Sequence, residues 1–172
     1  MVWVALPLYN HIMERVYLLL GGNLGERGQL LAEMRKEIEG SIGQLEISSA
    51  LYESEPWGFD HPSKFLNQVV VCKTKLDPLE VLEQIHHIEM QLGRVRHGAG
   101  YAARTADIDI LFYGNKVMDT PTLTIPHPRL HERRFTLLPL SEICPEYIHP
   151  TKKSSILELL ECCIDMSTVV KL

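Results

Sequence analysis

The 172-residue sequence has no run of about 18 apolar residues, so no membrane-spanning helix is predicted. Its four cysteines form no CxxC pair, and the adjacent Cys162 and Cys163 are poorly placed to bridge each other. A disulfide framework is therefore not expected, and the thiols indicate a reducing compartment, the cytoplasm. Excess positive charge is also lacking. The formal net charge of -5 argues against broad nucleic-acid binding, which needs a basic face.

Two common nucleotide-binding motifs are absent as well. No G-x-x-x-x-G-K-[ST] sequence occurs, which excludes a P-loop enzyme. The segment Gly-Gly-Asn-Leu-Gly at 21–25 has the glycines but not the spacing of G-x-G-x-x-G. A nucleotide, if bound, must be held by another kind of site.

The length suits one domain spanning residues 1–172. The first eight residues are apolar but lack a basic n-region and a small-residue cleavage site, so they do not predict a signal peptide. We expect residues 1–13 to form an N-terminal extension, either as an arm or as an upstream start of a domain that begins near Met13. We also expect a monomer without a nucleic-acid or membrane partner.

Hydrophobic periodicity predicts the order strand, helix, strand, strand, helix, strand. This order is the ferredoxin-like βαββαβ plan, an α+β fold with an antiparallel sheet, helices packed on one face and extra C-terminal elements. The predicted strands are 16–20, 45–52, 65–75 and 107–113, with a short partner of the last at 116–118. The predicted helices are 26–39, 77–92, 129–138 and 156–163.

Asp107 and Asp109 lie two residues apart in the fourth predicted strand. Side chains alternate along a strand, so the two share one face, while Ile108, Ile110 and Phe112 should face the core. The aspartates are about 6–7 Å apart along the backbone. Their oxygens can converge on one Mg²⁺ or bridge two, with phosphate and water as further ligands. An outward-facing charged strand is the alternative, and the surrounding sequence has to decide.

Arginines precede this strand. Arg94, Arg96 and Arg104 flank a loop of small residues that contains Gly98 and Gly100. The planar guanidinium group suits phosphate oxygens, and glycines permit a mobile lid. Taken alone, the loop is better explained as a basic surface that partly neutralises nearby acids. Combined with the aspartates, it favours a magnesium-nucleotide site.

Two histidines and a glutamate are weaker candidates. His86 and Glu89 lie three residues apart on the non-core side of the second helix, where they line either a nucleotide site or a solvated surface. His127 and His131 have a spacing suited to zinc on a helix, but Pro128 interrupts it and no further ligand pair is evident. A contact between His127 and a triphosphate fits better.

A flat heterocycle is suggested by Asn67 and by the aromatic residues of the loop Trp57-Gly58-Phe59. The asparagine amide offers both a donor and an acceptor, and the rings offer stacking surfaces. Without further context, a core aromatic and an asparagine at the start of a strand explain them better.

Six segments together carry a family resemblance. They are Gly-Gly-Asn-Leu-Gly at 21–25, Pro-Trp-Gly at 56–58, Phe-Leu-Asn at 65–67, Gly-Arg-Val-Arg at 93–96, Arg-Thr-Ala-Asp-Ile-Asp-Ile-Leu at 104–111 and Leu-Thr-Ile-Pro-His-Pro at 123–128. With these segments, residues 16–147 resemble the 6-hydroxymethyl-7,8-dihydropterin pyrophosphokinases of folate biosynthesis. The resemblance implies transfer of a diphosphoryl group from ATP to the hydroxymethyl oxygen of the pterin, with release of AMP.

The resemblance also implies roles for individual residues. Asp107 and Asp109 would bind two Mg²⁺ ions, and Arg94 and Arg104 would assist closure and stabilise the transferred group. The residues implied to surround ATP are His86, Glu89, Arg96, Arg104, Ile110, Thr124, His127 and Arg133. The residues implied to hold the pterin are Ser54, Trp57, Asn67 and Phe135, with Tyr101 sealing the site.

The chain departs from the family pattern in the segment that precedes the acidic strand. Tyr101-Ala102-Ala103 replaces the usual Trp-Gly-Pro, Gly100 stands where some members have arginine, and His86 where glutamine is expected. Gly100, Ala102 and Ala103 favour a second hypothesis, a ferredoxin-like regulatory module that binds a nucleotide without turnover. The retained aspartates and arginines favour the enzyme. A third hypothesis is an RNA-binding sheet. It is disfavoured because the strand run 68–71 lacks the aromatic residues on which such sheets stack bases.

Overall fold

The computed structural model describes residues 13–93 and 106–172. No helix in these ranges is long and apolar enough to cross a membrane. A 3₁₀ turn, Leu130–Glu132, precedes the third helix. In chain order the elements are β1 (Glu14–Gly22), α1 (Arg27–Ser41), β2 (Gln44–Ser48), β3 (Tyr52–Ser54), β4 (Phe65–Thr74), α2 (Pro78–Gln91), β5 (Asp107–Tyr113), β6 (Met118–Asp119), β7 (Thr124–Ile125), α3 (Arg134–Ile143), α4 (Ile156–Glu161) and β8 (Val169–Lys171).

Within these ranges, six strands form one antiparallel sheet. Its order is β5-β1-β4-β3-β8, and β2 pairs with β4 farther along the edge that β3 occupies. The first four positions, with β2 and β3 counted together, reproduce the order of a βαββαβ ferredoxin-like sheet. The predicted fold class is therefore confirmed, and β1 lies at its centre between β4 and β5.

Helices cover both faces of the sheet. Val16, Leu18 and Leu20 of β1 pack in one cluster with the buried faces of α1 and α2. Tyr17 and Leu19, which alternate with them, pack in a second cluster with residues of α3 and α4. The prediction that helices lie on one face is confirmed for α1 and α2, but it was wrong for α3 and α4, which cover the opposite face. Because β1 is buried on both sides, its sequence contains a continuous apolar run and does not alternate between apolar and polar residues.

Helix α2 begins where its sequence predicts. The Asp77 carboxylate accepts hydrogen bonds from the Leu79 and Glu80 N–H groups, both at 2.9 Å. Glu80 in turn accepts the Asp77 N–H at 2.7 Å, which completes a capping box, and Pro78 occupies the first turn. This fixed start sets which side of α2 faces the sheet.

An irregularity in β5 decides which of its residues face the core. Tyr17 is paired with Phe112 and Leu18 with Ile110, so Leu111 is an extra residue in β5. Ile108 and Ile110 pack against α1 and α2, but Phe112 packs in the opposite cluster, 5.7 Å from the Tyr17 ring between centroids. The prediction that the three share a face was wrong for Phe112, because one inserted residue reverses the alternation.

Two predicted strands also differ from the structure. The predicted strand 45–52 is divided into β2 and β3, because the Ser49 hydroxyl accepts the Val69 N–H at 3.0 Å in place of a backbone carbonyl. The short strand after β5 does not pair with β5. Instead the Lys116 N–H closes a turn onto the Tyr113 carbonyl, and β6 pairs with β7.

A buried histidine makes stability depend on pH. His149 is 3% exposed and its ring meets Phe112 edge-on at 5.4 Å between centroids. Its Nδ1 accepts the N–H groups of Thr151 and Lys152, both at 3.3 Å. Burial first, and then the positive charges of His131 and Lys152, lower the pKa of His149 to about 4. The folded protein therefore keeps this ring neutral.

We expect the free energy of unfolding to fall as pH is lowered from about 6.5 to about 4. In this interval the unfolded chain binds a proton at His149 that the folded chain does not, so protonation favours unfolding. His149→Asn removes the titrating ring but keeps an acceptor oxygen, and should lose less stability across the same interval. Urea unfolding of both chains at pH 7 and pH 4.5 measures this, and equal losses would contradict it.

Candidate active site

A cleft opens over one end of β1, β4 and β5, on the face that α3 and α4 cover. Gly21 of β1 is paired with Asn67 of β4 on one side and with Asp107 of β5 on the other. Leu19 is paired with Asp109 and faces the same way. The empty volume of this first cavity is about 800 Å³ including its mouth. Its lining residues are Leu19, Gly21, Ser54, Glu55, Trp57, Phe59, Phe65, Asn67, Asp107, Asp109, His127, Arg133 and Phe135.

A second cavity adjoins the first at the outer edge of β5. It has an empty volume of about 610 Å³ and is lined by residues of α2, β5 and the β6–β7 hairpin. Asp109 and His127 line both cavities. The acidic strand therefore separates two compartments, and the same aspartate, Asp109, reaches into both of them.

The aspartates are accessible and face a buried positive charge. Both are half-buried, and the Asp109 side chain is 33% exposed. The Arg133 Nη1 lies 3.8 Å from the Asp109 Oδ2, and that arginine side chain is 9% exposed. Two accessible carboxylates suit Mg²⁺, which takes few protein ligands and completes its shell with phosphate and water. Among the described residues no group of three or more His, Cys, Asp or Glu side chains forms a metal site.

The outer edge of β5 is partly occupied by Glu89 of α2. This carboxylate is 3% exposed, and its Oε1 accepts the Ile108 N–H at 3.0 Å. Because backbone groups alternate in direction along a strand, the N–H and C=O of Ile110 point to the same outer edge, into the second cavity. A ligand in that cavity can therefore meet strand-like hydrogen-bonding groups.

His127 is held as a neutral hydrogen-bond donor. Its Nδ1 accepts the Arg129 N–H at 3.2 Å, so the proton of the neutral ring lies on Nε2. Burial, and then the charge of Arg133, lower its pKa to about 4 against the opposing effect of Asp107. At neutral pH the ring can thus donate from Nε2 without adding a charge.

Polar groups on β3 and β4 face the first cavity. Asn67 and Ser54 are both 2% exposed. The Asn67 Nδ2 donates to the Ser54 Oγ at 2.9 Å and to the Tyr52 carbonyl at 3.4 Å. Its Oδ1 lies toward Gly21, where a Cβ would approach it to 3.2 Å. The cleft therefore offers the Asn67 amide oxygen as a hydrogen-bond acceptor, next to Gly21, which has no side chain.

Aromatic rings line the first cavity, and two arginines pack against them. The guanidinium carbons of Arg129 and Arg133 lie 4.4 and 4.9 Å from the centroid of the Trp57 ring. Arg133 also lies 5.7 Å from the Phe135 ring. These distances are within the range of cation–π attraction. Phe59 and Phe65 form an edge-to-face pair on the same cavity, with centroids 6.1 Å apart.

The Gly-Gly-Asn-Leu-Gly segment at 21–25 supports this wall through Asn23. Asn23 is 2% exposed, and its Nδ2 lies 3.2 Å from the His61 Nδ1 and 3.3 Å from the Ser63 carbonyl. These contacts tie the loop that carries Trp57 to the end of β1. The asparagine therefore positions one wall of the first cavity.

The structure brings most of the predicted site residues together. Predicted pterin and magnesium residues line the first cavity, and Ile110 and Thr124 line the second. Arg94, Arg96, Tyr101 and Arg104 lie outside the described residues. His86 is on the exposed side of α2 and lines neither cavity. The placement of Glu89 on the non-core side of α2 was wrong, because its carboxylate turns inward to the edge of β5.

Sequence reasoning missed several lining residues, chiefly Gly21, Leu19 and Phe65. Phe65 lies two residues before Asn67 in β4, so alternation along the strand could have placed it on the same face. Gly21 could not be found in this way, because its importance depends on the register that sets it between Asn67 and Asp107.

Comparison with known proteins places this site in a family. Residues 17–145 match the model of the 7,8-dihydro-6-hydroxymethylpterin-pyrophosphokinase (HPPK) family. The chain belongs to this family. A pyrophosphokinase of the HPPK type from Porphyromonas gingivalis is 40% identical over 141 residues, which cover 80% of this chain and 95% of that protein. Its counterpart from Bacillus subtilis is 39% identical over 134 residues, covering 76% and 78%.

Larger proteins contain regions similar to this chain. A folic acid synthesis protein of Pneumocystis carinii is 38% identical over 154 residues, but the match covers only 20% of that protein. The solved HPPK-DHPS of Plasmodium falciparum with pteroate superposes with a TM-score of 0.72 at 18% identity, covering 88% of this chain and 44% of that one. The chain thus spans less than half of that fused protein, and the likeness shows the HPPK fold alone.

Proposed function

We propose that the chain transfers the diphosphoryl group of ATP to the hydroxymethyl oxygen of 6-hydroxymethyl-7,8-dihydropterin and releases AMP, a step of folate biosynthesis. The pterin occupies the first cavity, called the pterin cleft below, and ATP the second, called the nucleotide cleft. The observation that carries this assignment is that Asp109 and His127 line both clefts. Family membership supports the reaction itself.

The walls of the pterin cleft suit a flat, polar heterocycle. Asn67 and Ser54 supply buried hydrogen-bonding groups at one end. Trp57 and Phe135 supply aromatic surfaces, on which a ring system can stack. Tyr101, carried over from the family pattern, would seal the cleft from the segment outside the described residues.

Asp107 and Asp109 would hold two Mg²⁺ ions together with the phosphate oxygens of ATP. Their position on one strand face, open to the boundary of the two clefts, fits that role. Bound magnesium would neutralise phosphate charge and orient the reacting groups. Asp109 and Arg133 also balance each other, so the site has a carboxylate held at a defined place before substrates arrive.

In the nucleotide cleft, Ile110 and Thr124 would contact ATP along the edge of β5 and the β6–β7 hairpin. Glu89 would act by fixing that edge through Ile108, rather than by facing solvent. His86, on the exposed side of the same helix, would approach the nucleotide from outside the cleft.

Chemistry then depends on positioning and electrostatics. The hydroxyl oxygen of the pterin attacks the β-phosphorus of ATP, the hydroxyl proton is released, and the bond from that phosphorus to the oxygen of AMP breaks. The His127 Nε2–H would donate to a phosphate oxygen, and Arg133 would supply a fixed positive charge. Arg94, Arg96 and Arg104 would add charge from the 94–104 segment and close the site against water. No covalent enzyme intermediate is needed.

The test is pterin-dependent formation of AMP. The chain is incubated with Mg-ATP and 6-hydroxymethyl-7,8-dihydropterin, and AMP is quantified by chromatography. A matched control replaces the substrate with 6-methyl-7,8-dihydropterin, which has the same ring but no hydroxyl acceptor. We expect AMP only with the hydroxymethyl compound. ATP binding without pterin-dependent AMP would instead support the non-catalytic nucleotide-binding module.

A further inference from the structure

Helix α3 starts at the wall of the pterin cleft without a cap of its own. Arg133 and Phe135, on either side of Arg134, both line the cleft. Arg133 occupies the N-cap position and makes no side-chain capping hydrogen bond. The first N–H groups of a helix need partners from elsewhere, so the geometry of this turn depends on what supplies them.

One partner comes from the C-terminal segment. The Asp165 Oδ2 accepts the Arg134 N–H at 2.9 Å, and its Oδ1 accepts the Ser167 N–H at 3.0 Å. Burial alone would raise the pKa of this carboxyl, but the hydrogen bonds from Arg134 and Ser167 outweigh burial and lower it. The side chain is therefore a carboxylate at neutral pH, the charge that a helix N-terminus favours.

The same segment is fastened to the opposite side of the cleft. Val169 of β8 is paired with Ser54 of β3, and Ser54 lines the cleft beside Asn67. Three residues thus separate the contact with α3 at Asp165 from the contact with β3 at Val169. The match to the family model ends at residue 145, so this connection lies beyond it. The C-terminal segment links two walls of the pterin cleft.

We propose that Asp165 is a positioning residue for pterin binding, which holds the turn 133–135 so that Arg133 and Phe135 face the cleft. This inference rests on the proposed function, since it assigns the cleft to the pterin. Asp165 itself touches no substrate and acts through the backbone of Arg134. Its loss should therefore weaken pterin binding more than it slows the saturated reaction.

The experiment compares steady-state kinetics of the unchanged chain with Asp165→Ala and Asp165→Asn. In Asp165→Ala the KM for the pterin should rise about ten-fold. The KM for ATP should rise less than that for the pterin, because only Arg133 among the ATP contacts belongs to this turn, whereas Ile110 and Thr124 do not depend on α3. The pterin KM of Asp165→Asn should lie between that of the unchanged chain and that of Asp165→Ala. The single amide oxygen of asparagine can replace only one of the two carboxylate acceptors. Fluorescence titration with the pterin gives the dissociation constant independently.

Ser155→Ala is the matched control. Ser155 caps α4 by accepting the Glu158 N–H at 3.2 Å, and it lines neither cleft. This variant should lose stability through the same kind of cap but keep the pterin KM. A pterin KM within two-fold of normal in Asp165→Ala, or an equal rise in Ser155→Ala, would overturn the proposal.

Two outcomes need separate treatment. If Asp165→Ala does not fold, Asp165→Asn measured at 15 °C decides: a rise of about three-fold or more in the pterin KM supports the inference, and no change overturns it. If the unchanged chain forms no pterin-dependent AMP, the proposed function fails first. Failure of the inference alone leaves the unchanged chain active and Asp165→Ala indistinguishable from it.

Discussion

Asp109→Asn should lower kcat by about 1,000-fold or more, a barrier increase of about 4 kcal/mol. The substitution keeps the size of the side chain but removes the charge that would hold magnesium between the two clefts. It also removes one negative charge 3.8 Å from Arg133. Asp107→Asn should act in the same direction, because the two residues share one face of β5. Turnover is measured as AMP formed at saturating substrates over a range of magnesium concentrations.

The control for charge alone is Glu39→Gln, which removes one carboxylate from the exposed surface of α1. It should change kcat by less than two-fold. Circular dichroism should show all three variants folded, since neither aspartate is part of the apolar core. Near-normal turnover in Asp109→Asn would remove the metal role from that residue, and a magnesium requirement unchanged in both variants would remove it from the pair.

Gly21→Val should raise the KM for the pterin by about 100-fold, or about 2.7 kcal/mol of lost transition-state binding. A Cβ at this position approaches the Asn67 Oδ1 to 3.2 Å, and the methyl groups of valine extend farther into the cleft. They would occupy the space between Asn67 and Asp107, the residues paired with Gly21 on either side. The binding constant for Mg-ATP should change little, because Gly21 does not line the nucleotide cleft.

Valine suits a strand, so the fold should survive, although crowding at this buried position costs about 1–3 kcal/mol. Gly28→Val is the control, since a Cβ there meets nothing within 4 Å and the residue lies in α1. It should lower stability without changing the pterin KM. If Gly21→Val is too unstable to assay, Gly21→Ala replaces it with a smaller expected increase. Unchanged pterin kinetics in a folded Gly21 variant would contradict the position of the pterin.

The sequence was sufficient for the family and the plan of the fold. Element order and the apolar run of β1 predict the antiparallel core, and local chemistry at Asp77 and Pro78 sets the start of α2. The spacing of Asp107 and Asp109 determines that they share a face, because alternation is a local property of a strand. The aromatic chemistry of its loop made Trp57 a candidate, and the family resemblance then favoured it over a core position.

Other features depended on how distant segments meet. The extra residue Leu111 reverses the face of Phe112, and this shift is visible only in the pairing of β5 with β1. The inward turn of Glu89 depends on the edge of β5, to which it is bonded across 19 residues. The role of Gly21 depends on two neighbouring strands at once.

By itself, then, the sequence determined the strand that carries the two aspartates and the side chains that can bind phosphate and a heterocycle. Those are consequences of local periodicity and of side-chain chemistry. Only the tertiary structure decided that Asp109 lies on the boundary of two clefts and that Arg133 approaches it to 3.8 Å. Register, strand order and helix packing are set by the whole core, so no single segment of the chain encodes them.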